Sequence, residues 1–407
     1  MFMRAQWRIA LAAAAAAVVG AGCSSDRPTL SESPPVAHAE RSPDTPVAIA
    51  GGKQIFRFDT YGDETFWTDT LRLHEVIRTA VSPATALSVG LKVDADALPE
   101  AVKAALRNGT IDLNDPATTV TLLELGAVLG VVGRVSENGT LTRVGITCAF
   151  CHSTVDNSLA PGIGRRLDGW PNRDLNVGAI VALSPVLTKA QKAIYKSWGP
   201  GRYDPRLNID GKNMPVVIPP AFGLRNVARE IFTGDGPISY WNDYVAVTQM
   251  HGHGQFVDQR IGVSKSNPPE LVEPKLPALR AYQLSLAAPP PGAFDQEAAR
   301  RGREVFDGVA KCSSCHVGTV LTDVNRGVLH TPAEVGQDPA YALRSATKLY
   351  RTTPLRGLWH PPQLQGPYFH DGRAATLDAA IDHYVQLQGL VLGKQQRADL
   401  VEYLKTL

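Results

Sequence analysis

A mainly α-helical chain of two domains, threaded by long loops, is the fold class the sequence predicts, and it rests on three features. Two five-residue stretches, Cys148-Ala149-Phe150-Cys151-His152 and Cys312-Ser313-Ser314-Cys315-His316, repeat one pattern of cysteine and histidine. The 36 Gly and 30 Pro, set among few alternating apolar and polar runs, favour short helices and loops over extended sheets. Beyond a polar N-terminal stretch roughly 355 residues remain, enough for two hydrophobic cores.

Each five-residue stretch is C-x-x-C-H, the attachment signature of a c-type haem. Two thiols three residues apart on one turn reach the two vinyl groups of a single porphyrin, and the His that follows lies under the ring as proximal iron ligand. Zinc would need four ligands from paired clusters, and a redox C-x-x-C pair has no use for a His in the same place twice. Cys148, Cys151, Cys312 and Cys315 are therefore read as attachment residues for two haem c groups, with His152 and His316 as iron ligands. The fold class sharpens to mainly α, with two cytochrome c-like haem domains, the porphyrins filling much of the core.

The motifs use four of the five cysteines. The fifth, Cys23, ends a segment with Arg4 and Arg8 followed by the apolar run Ile9 to Val19, the layout of a secretory signal and too short for a membrane span. Val19-Gly20-Ala21-Gly22-Cys23 resembles a bacterial lipoprotein box, so residues 1–23 are read as a signal peptide of lipoprotein type. Residues 24–49, rich in Ser, Pro, Ala and Asp, cannot bury a core and read as a disordered tether. Residues 50–273 are assigned to an N-terminal haem domain, 274–292 to a connector ending in Pro289-Pro290-Pro291-Gly292, and 293–407 to a C-terminal haem domain. A net charge of +2 with both signs interspersed gives no nucleic-acid-binding surface. Membrane contact is expected only through a lipid at Cys23, which places the protein in the periplasm or on the outer membrane of a Gram-negative bacterium.

The C-terminal domain is the easier to frame. Phe294 to Phe306 has helical character, and Leu400, Val401 and Leu404 fall on one face of a closing helix. Gly302 and Phe306 match the first helix of cytochrome c and Leu400, Tyr403 and Leu404 its last, so this frame resembles cytochrome c. Arg351-Thr-Thr-Pro-Leu-Arg356 and Pro367-Tyr-Phe-His-Asp-Gly372, followed by Thr376-Leu377, resemble the C-terminal haem domain of bacterial di-haem cytochrome c peroxidases and their MauG-type relatives. Pro219 to Asn226 with Gly234-Asp235-Gly236 is similar to that family's stretch around its W-D-G motif. The segment Gly52 to Trp67 is similar instead to di-haem cytochromes related to bacterial rubber oxygenases. The resemblance implies an oxidoreductase that takes electrons from a small periplasmic cytochrome or cupredoxin through the C-terminal haem. An N-terminal haem would then react with peroxide or dioxygen, and a calcium ion could sit between the domains.

Sixth ligands decide function, because a filled iron carries electrons and an open one does chemistry. The four Met are Met1, Met3, Met214 and Met250, so none follows the second motif, and a His/Met centre there would require Met250 to reach across. The resemblance places the distal ligand fourteen residues after His370, at Tyr384. His383, His330 and His360 are the other candidates, and packing against the haem is the alternative role for Tyr384. A Tyr or second His would favour ferric iron and lower the potential relative to Met. Around the first motif, no His lies between His152 and His251, so the removable His ligand of the peroxidases has no counterpart.

The peroxidases' distal Glu falls at Met250-His251-Gly252-His253-Gly254. His251 and His253 are thus candidates for catalytic acid/base work, for ligating the iron, or for an exposed loop. Ligation would make the chain an electron carrier with both irons six-coordinate. An imidazole standing off the iron would fit a peroxidase or, on the rubber-oxygenase resemblance, a haem dioxygenase. Arg165, Arg166 and Arg173 are candidate propionate partners or surface charges. Trp170, Trp198 and Trp241 are candidate inter-haem indoles or core residues.

Overall fold

Two pairs of crossed helices organise the computed structural model, which describes residues 44–359 and 366–407. Helix Pro46–Phe58 starts behind Thr45, whose hydroxyl accepts from the Ala48 N–H at 3.2 Å, and Pro46 suits a first turn where an N–H would be unpaired anyway. It crosses helix Leu276–Ser285 at Gly52, where an added Cβ would overlap the Ala278 carbonyl. One turn further on, Phe56 packs edge-on against Tyr282 with ring centres 5.5 Å apart. Helix Gln296–Asp307, capped by Asp295, crosses Lys394–Leu404 in the same way. Gly302 lies on the Asp399 carbonyl, and Phe306 meets Tyr403 edge-on at 5.1 Å. The two crossings share one pattern, G-x-x-x-F against L-x-x-Y: Gly52, Phe56, Leu279 and Tyr282 in the first, Gly302, Phe306, Leu400 and Tyr403 in the second. Each crossing brings together two helices well separated in the chain.

Two sequence-derived boundaries move as a result. The tether assigned to 24–49 gives way to helix at Pro46, because Ile49 packs into the cluster of Phe56, Leu279 and Tyr282. The stretch assigned to a connector at 274–292 contains helix Leu276–Ser285, which buries Leu276, Leu279, Ala281, Tyr282 and Gln283. Pro277 sits at the start of that helix, where proline initiates instead of breaking. The signal segment, Cys23 and His360 lie outside the described residues.

Gly302→Ala is expected to destabilise the protein by about 1–3 kcal/mol, because two backbones must part to admit one methyl. Gly51→Ala, on the exposed side of the equivalent helix with open space around it, should instead stabilise by up to about 1 kcal/mol. Urea unfolding of the holoprotein checks both; equal effects at the two positions would remove the close-crossing account.

Extended structure among the described residues is confined to two-stranded pieces. The hairpin Val131–Val135 with Leu141–Ile146 matters most here, because its second strand runs through Thr147 directly into Cys148. Thr68 holds that strand, its hydroxyl donating to the Val144 carbonyl at 2.9 Å and accepting from the Val144 N–H at 2.8 Å.

Ion pairs, most of them buried, join the two halves of the chain. Arg344 and Arg351, from the C-terminal half, pair with Asp204 (2.9 Å), Asp210 (2.6 Å) and Glu230 (3.0 Å). Asp235, paired with Arg206 at 2.9 Å, also accepts from the Ala346 N–H at 2.7 Å. No helix among the described residues is long and apolar enough to cross a membrane.

Candidate haem sites

The hairpin delivers Cys148 to a short helix, Ala149–His152, which sets Cys148, Cys151 and His152 on one turn. These residues line a large, mostly apolar cavity whose walls also include Phe66, Trp67, Trp198, Trp241, Met250 and His251. His152 Nδ1 lies 3.1 Å from the Pro219 carbonyl. A carbonyl can only accept, so Nδ1 carries the proton and Nε2 keeps the lone pair that a metal needs. Burial pushes the His152 pKa down to about 4, so the imidazole is neutral at pH 7. Burial pushes the Cys148 and Cys151 thiols up to about 12, the reverse of what a redox dithiol requires. Among the described residues no third metal ligand gathers near that cysteine pair, which argues against zinc. A large, mostly apolar space, two neutral thiols and an oriented imidazole fit a covalently attached haem.

The second motif repeats this chemistry. His316 Nδ1 lies 3.0 Å from the Leu321 carbonyl, and burial again lowers its pKa. Burial raises the Cys312 thiol to about 11. Tyr384, on helix Leu377–Leu387, is raised to about 12 by burial and by the nearby Cys315 and Cys312 thiols, which places its phenol beside the attachment residues. Its hydroxyl makes no hydrogen bond among the described residues, whereas the competing imidazoles are engaged. His383 Nε2 is 2.8 Å from the Val335 carbonyl. His330 Nε2 lies between Asp323 (3.1 Å) and Thr352 (2.9 Å), and His370 between Gln337 (3.0 Å) and Tyr350 (3.4 Å). His330 and Asp323 also lie within 4.8 Å of the Cys315 sulfur, so that cluster belongs to the environment of the second motif. Met250 lines the first cavity and does not cross to the second motif.

The two histidines read together in the sequence part company in the structure. His251 lines the first cavity, in the same walls as His152. It follows a helix, Ile238–Tyr244, that widens into a π-helical turn at Val245–Gln249, a feature frequent at functional sites. Its φ of +63° is rare for a residue with a side chain and points to a constrained position. The imidazole stacks on Phe66 at 3.6 Å and 15°. Phe66 sits on another π-helical turn, Thr65–Thr70, which Trp67 pins by donating to the Met250 carbonyl at 3.1 Å. Neither ring nitrogen of His251 has a hydrogen-bond partner among the described residues, and burial with the Lys265 charge holds its pKa near 4.

His253, by contrast, does not line the cavity. Its Nδ1 lies 2.7 Å from the Pro268 carbonyl and its Nε2 3.5 Å from the Thr65 hydroxyl. The left-handed backbone at His251 turns the chain between them, so the catalytic assignment made for both imidazoles has cavity geometry behind it only at His251.

The remaining candidates separate by burial. Arg173 is close enough to depress the His152 pKa further, and among the described residues it has no carboxylate partner, leaves Nε unpaired and donates to the Ile218 carbonyl (2.7 Å). That guanidinium suits a propionate. Arg165 is exposed and paired with Asp156, while Arg166 is buried 3.2 Å from Asp94. Trp198 donates to Asn213 at 2.8 Å, Trp241 lies under the Arg206 guanidinium at 5.8 Å, and Trp170 packs edge-on against Phe222. Phe66 and Trp67 carry no local sign of a site role, because they meet residues some 183 positions away.

A thioether-spaced cysteine pair, a neutral carbonyl-anchored imidazole and a glycine-mediated helix crossing define a c-type cytochrome. The cytochrome c family matches residues 299–407. Over 125 residues the chain is 30% identical to the methylamine utilization protein MauG of Methylorubrum extorquens, a match covering 27% of this chain and 34% of MauG. Residues 299–407 are thus a cytochrome c domain, and MauG, of which about a third is covered, is a partial relative of this chain. Two solved structures align over about half of it. Hydrazine synthase of Kuenenia stuttgartiensis, pressurized with xenon, aligns over 47% of this chain and 72% of that one, at 20% identity and a TM-score of 0.34. A MauG-like protein associated with microbial copper homeostasis aligns over 48% and 74%, at 19% identity and a TM-score of 0.33.

Proposed function

We propose that this chain is an exported di-haem c-type oxidoreductase in which the haem at Cys148 and Cys151 is the reactive centre and the haem at Cys312 and Cys315 the electron relay. The observation that carries this reading is His251, a half-buried neutral imidazole with neither ring nitrogen hydrogen-bonded among the described residues, in the same cavity as His152. When bound, the haems supply one-electron chemistry and the place where peroxide or dioxygen reacts. His152 fixes one side through its Pro219-anchored ring. His251 can accept or return a proton at a ring nitrogen while the O–O bond breaks, and the Phe66 stack fixes its plane. Electrons would arrive from a small periplasmic cytochrome or cupredoxin at the C-terminal domain, with Tyr384 as distal ligand there. Export by the N-terminal signal, lipid attachment at Cys23 and a calcium ion between the domains complete the proposal.

Low-temperature EPR of the purified ferric protein tests it. A high-spin signal that disappears with a slight excess of peroxide supports the reactive centre. Two low-spin signals unchanged by peroxide, even after one-electron reduction, would favour the second reading, an electron carrier in which His251 ligates. The uncommitted nitrogens of His251 permit that reading too.

Tyr384→Phe is expected to change the absorption spectrum of the C-terminal haem and raise its potential, since an anionic ligand that stabilises ferric iron is lost. Unaltered spectrum and potential would eliminate Tyr384 as ligand.

A further inference from the structure

We infer that Arg351, in the cytochrome c domain over residues 299–407, receives a propionate of the haem attached at the first motif, so that this haem bridges the two halves of the chain. Cys148, Cys151 and His152 come from the N-terminal half and Arg351 from the C-terminal half, yet all four line one cavity. The inference rests on a haem being attached at Cys148 and Cys151. It is independent of whether that haem reacts with peroxide.

Arg351 is fixed through its backbone and through one end of its side chain. Its backbone N–H donates to the Phe232 carbonyl at 3.0 Å. Its Nη1 donates to the Glu230 carboxylate at 3.0 Å and to the Arg229 carbonyl at 2.5 Å. The other edge is unused: Nε is buried without a hydrogen-bond partner, and Nη2 donates to none of the described residues. Nε and Nη2 together form an edge that meets a carboxylate through two parallel bonds. A buried donor left unpaired is costly, so an acceptor is expected where such a side chain lines a cavity.

The charges in the cavity walls point the same way. Arg356 also lines the cavity and donates to the Gly223 and Arg225 carbonyls. Two carboxylates stand in the walls, Asp204 and Glu230, and Asp204 is taken by Arg344 at 2.9 Å. Glu230 alone is left to face Arg351 and Arg356; burial raises its pKa while both guanidiniums pull it down. The group is therefore one negative charge short in a mostly apolar space, and one propionate supplies it. Arg173, with its own buried and unpaired Nε near His152, serves the second propionate.

The test is resonance Raman difference spectroscopy and redox titration of the holoprotein. The propionate bending band rises with hydrogen bonding, so Arg351→Gln should lower it. The same variant should lower the potential of the N-terminal haem, because a positive charge that disfavours ferric iron is lost. Glu230→Gln should raise that potential, since it removes a negative charge and leaves the open edge of Arg351 in place. Combining Arg351→Gln with Glu230→Gln restores the charge balance, so the potential should return towards wild type while the band stays low. An ion pair with no propionate would leave the band unmoved in every variant, and that result would overturn the inference. So would a potential indifferent to both single substitutions. A pyridine haemochrome assay giving one haem per chain would instead overturn the di-haem reading, and the inference with it.

Discussion

His251→Ala is expected to lower turnover with peroxide by about 10²- to 10⁴-fold, the range for losing a positioned acid/base, while both haem spectra in the resting ferric protein persist. The pH profile supplies a second arm. Burial and Lys265 depress the His251 pKa to about 4, so the proton-accepting form persists as pH falls from 7 and is lost only near 4. An unperturbed imidazole would lose it near 6.5. Wild-type turnover should therefore be flat through the weakly acidic range and fall near pH 4, and the residual turnover of the variant should lack that fall. Unchanged turnover in His251→Ala would end the acid/base role. A gain in peroxide reactivity would mean instead that His251 had been closing the iron, which is the electron-carrier reading.

Arg344→Ala should destabilise the protein by about 3–5 kcal/mol, the cost of leaving a buried charge without its partner. Arg344 is almost wholly buried, and its guanidinium meets Asp204 at 2.9 Å, Asp210 at 2.6 Å and the Lys212 carbonyl at 3.0 Å. Asp204 is itself buried and also accepts from the Met214 N–H at 2.6 Å. Without the arginine its carboxylate must be protonated or hydrated inside the interface. Arg344→Met with Asp204→Leu removes the fully buried pair, leaves Asp210 to the solvent it already touches, and should recover much of the loss, because a well-packed apolar pair can equal a buried ion pair. Urea unfolding of the three proteins decides it. A single-variant loss below about 1 kcal/mol would mean that water already reaches Asp204, as at exposed pairs.

The attachment chemistry was legible in the chain because covalent spacing is local. C-x-x-C-H confines two thiols and an imidazole to one turn whatever surrounds it, and the structure sets Cys148, Cys151 and His152 on such a turn. The C-terminal helix crossing was legible through Gly302, Phe306 and Leu400, since a backbone crossing leaves a glycine at fixed distance from an aromatic. The same signal stood at Gly52, Phe56 and Tyr282, yet the prolines around residues 274–292 read as a connector. A proline that opens a helix and one that ends it look alike until the apolar face has a partner.

The distal side of the first cavity was decided by tertiary structure alone. Whether His251 or His253 enters the cavity depends on one left-handed backbone position and on Phe66 and Trp67 arriving from the other end of the domain. So does the pairing of Arg344 with Asp204, since either charge alone is compatible with an exposed face. Sequence determined the groups that react through bonds to their immediate neighbours. Packing decided those whose role depends on burial, because desolvation and stacking are set by residues that chain order does not bring together.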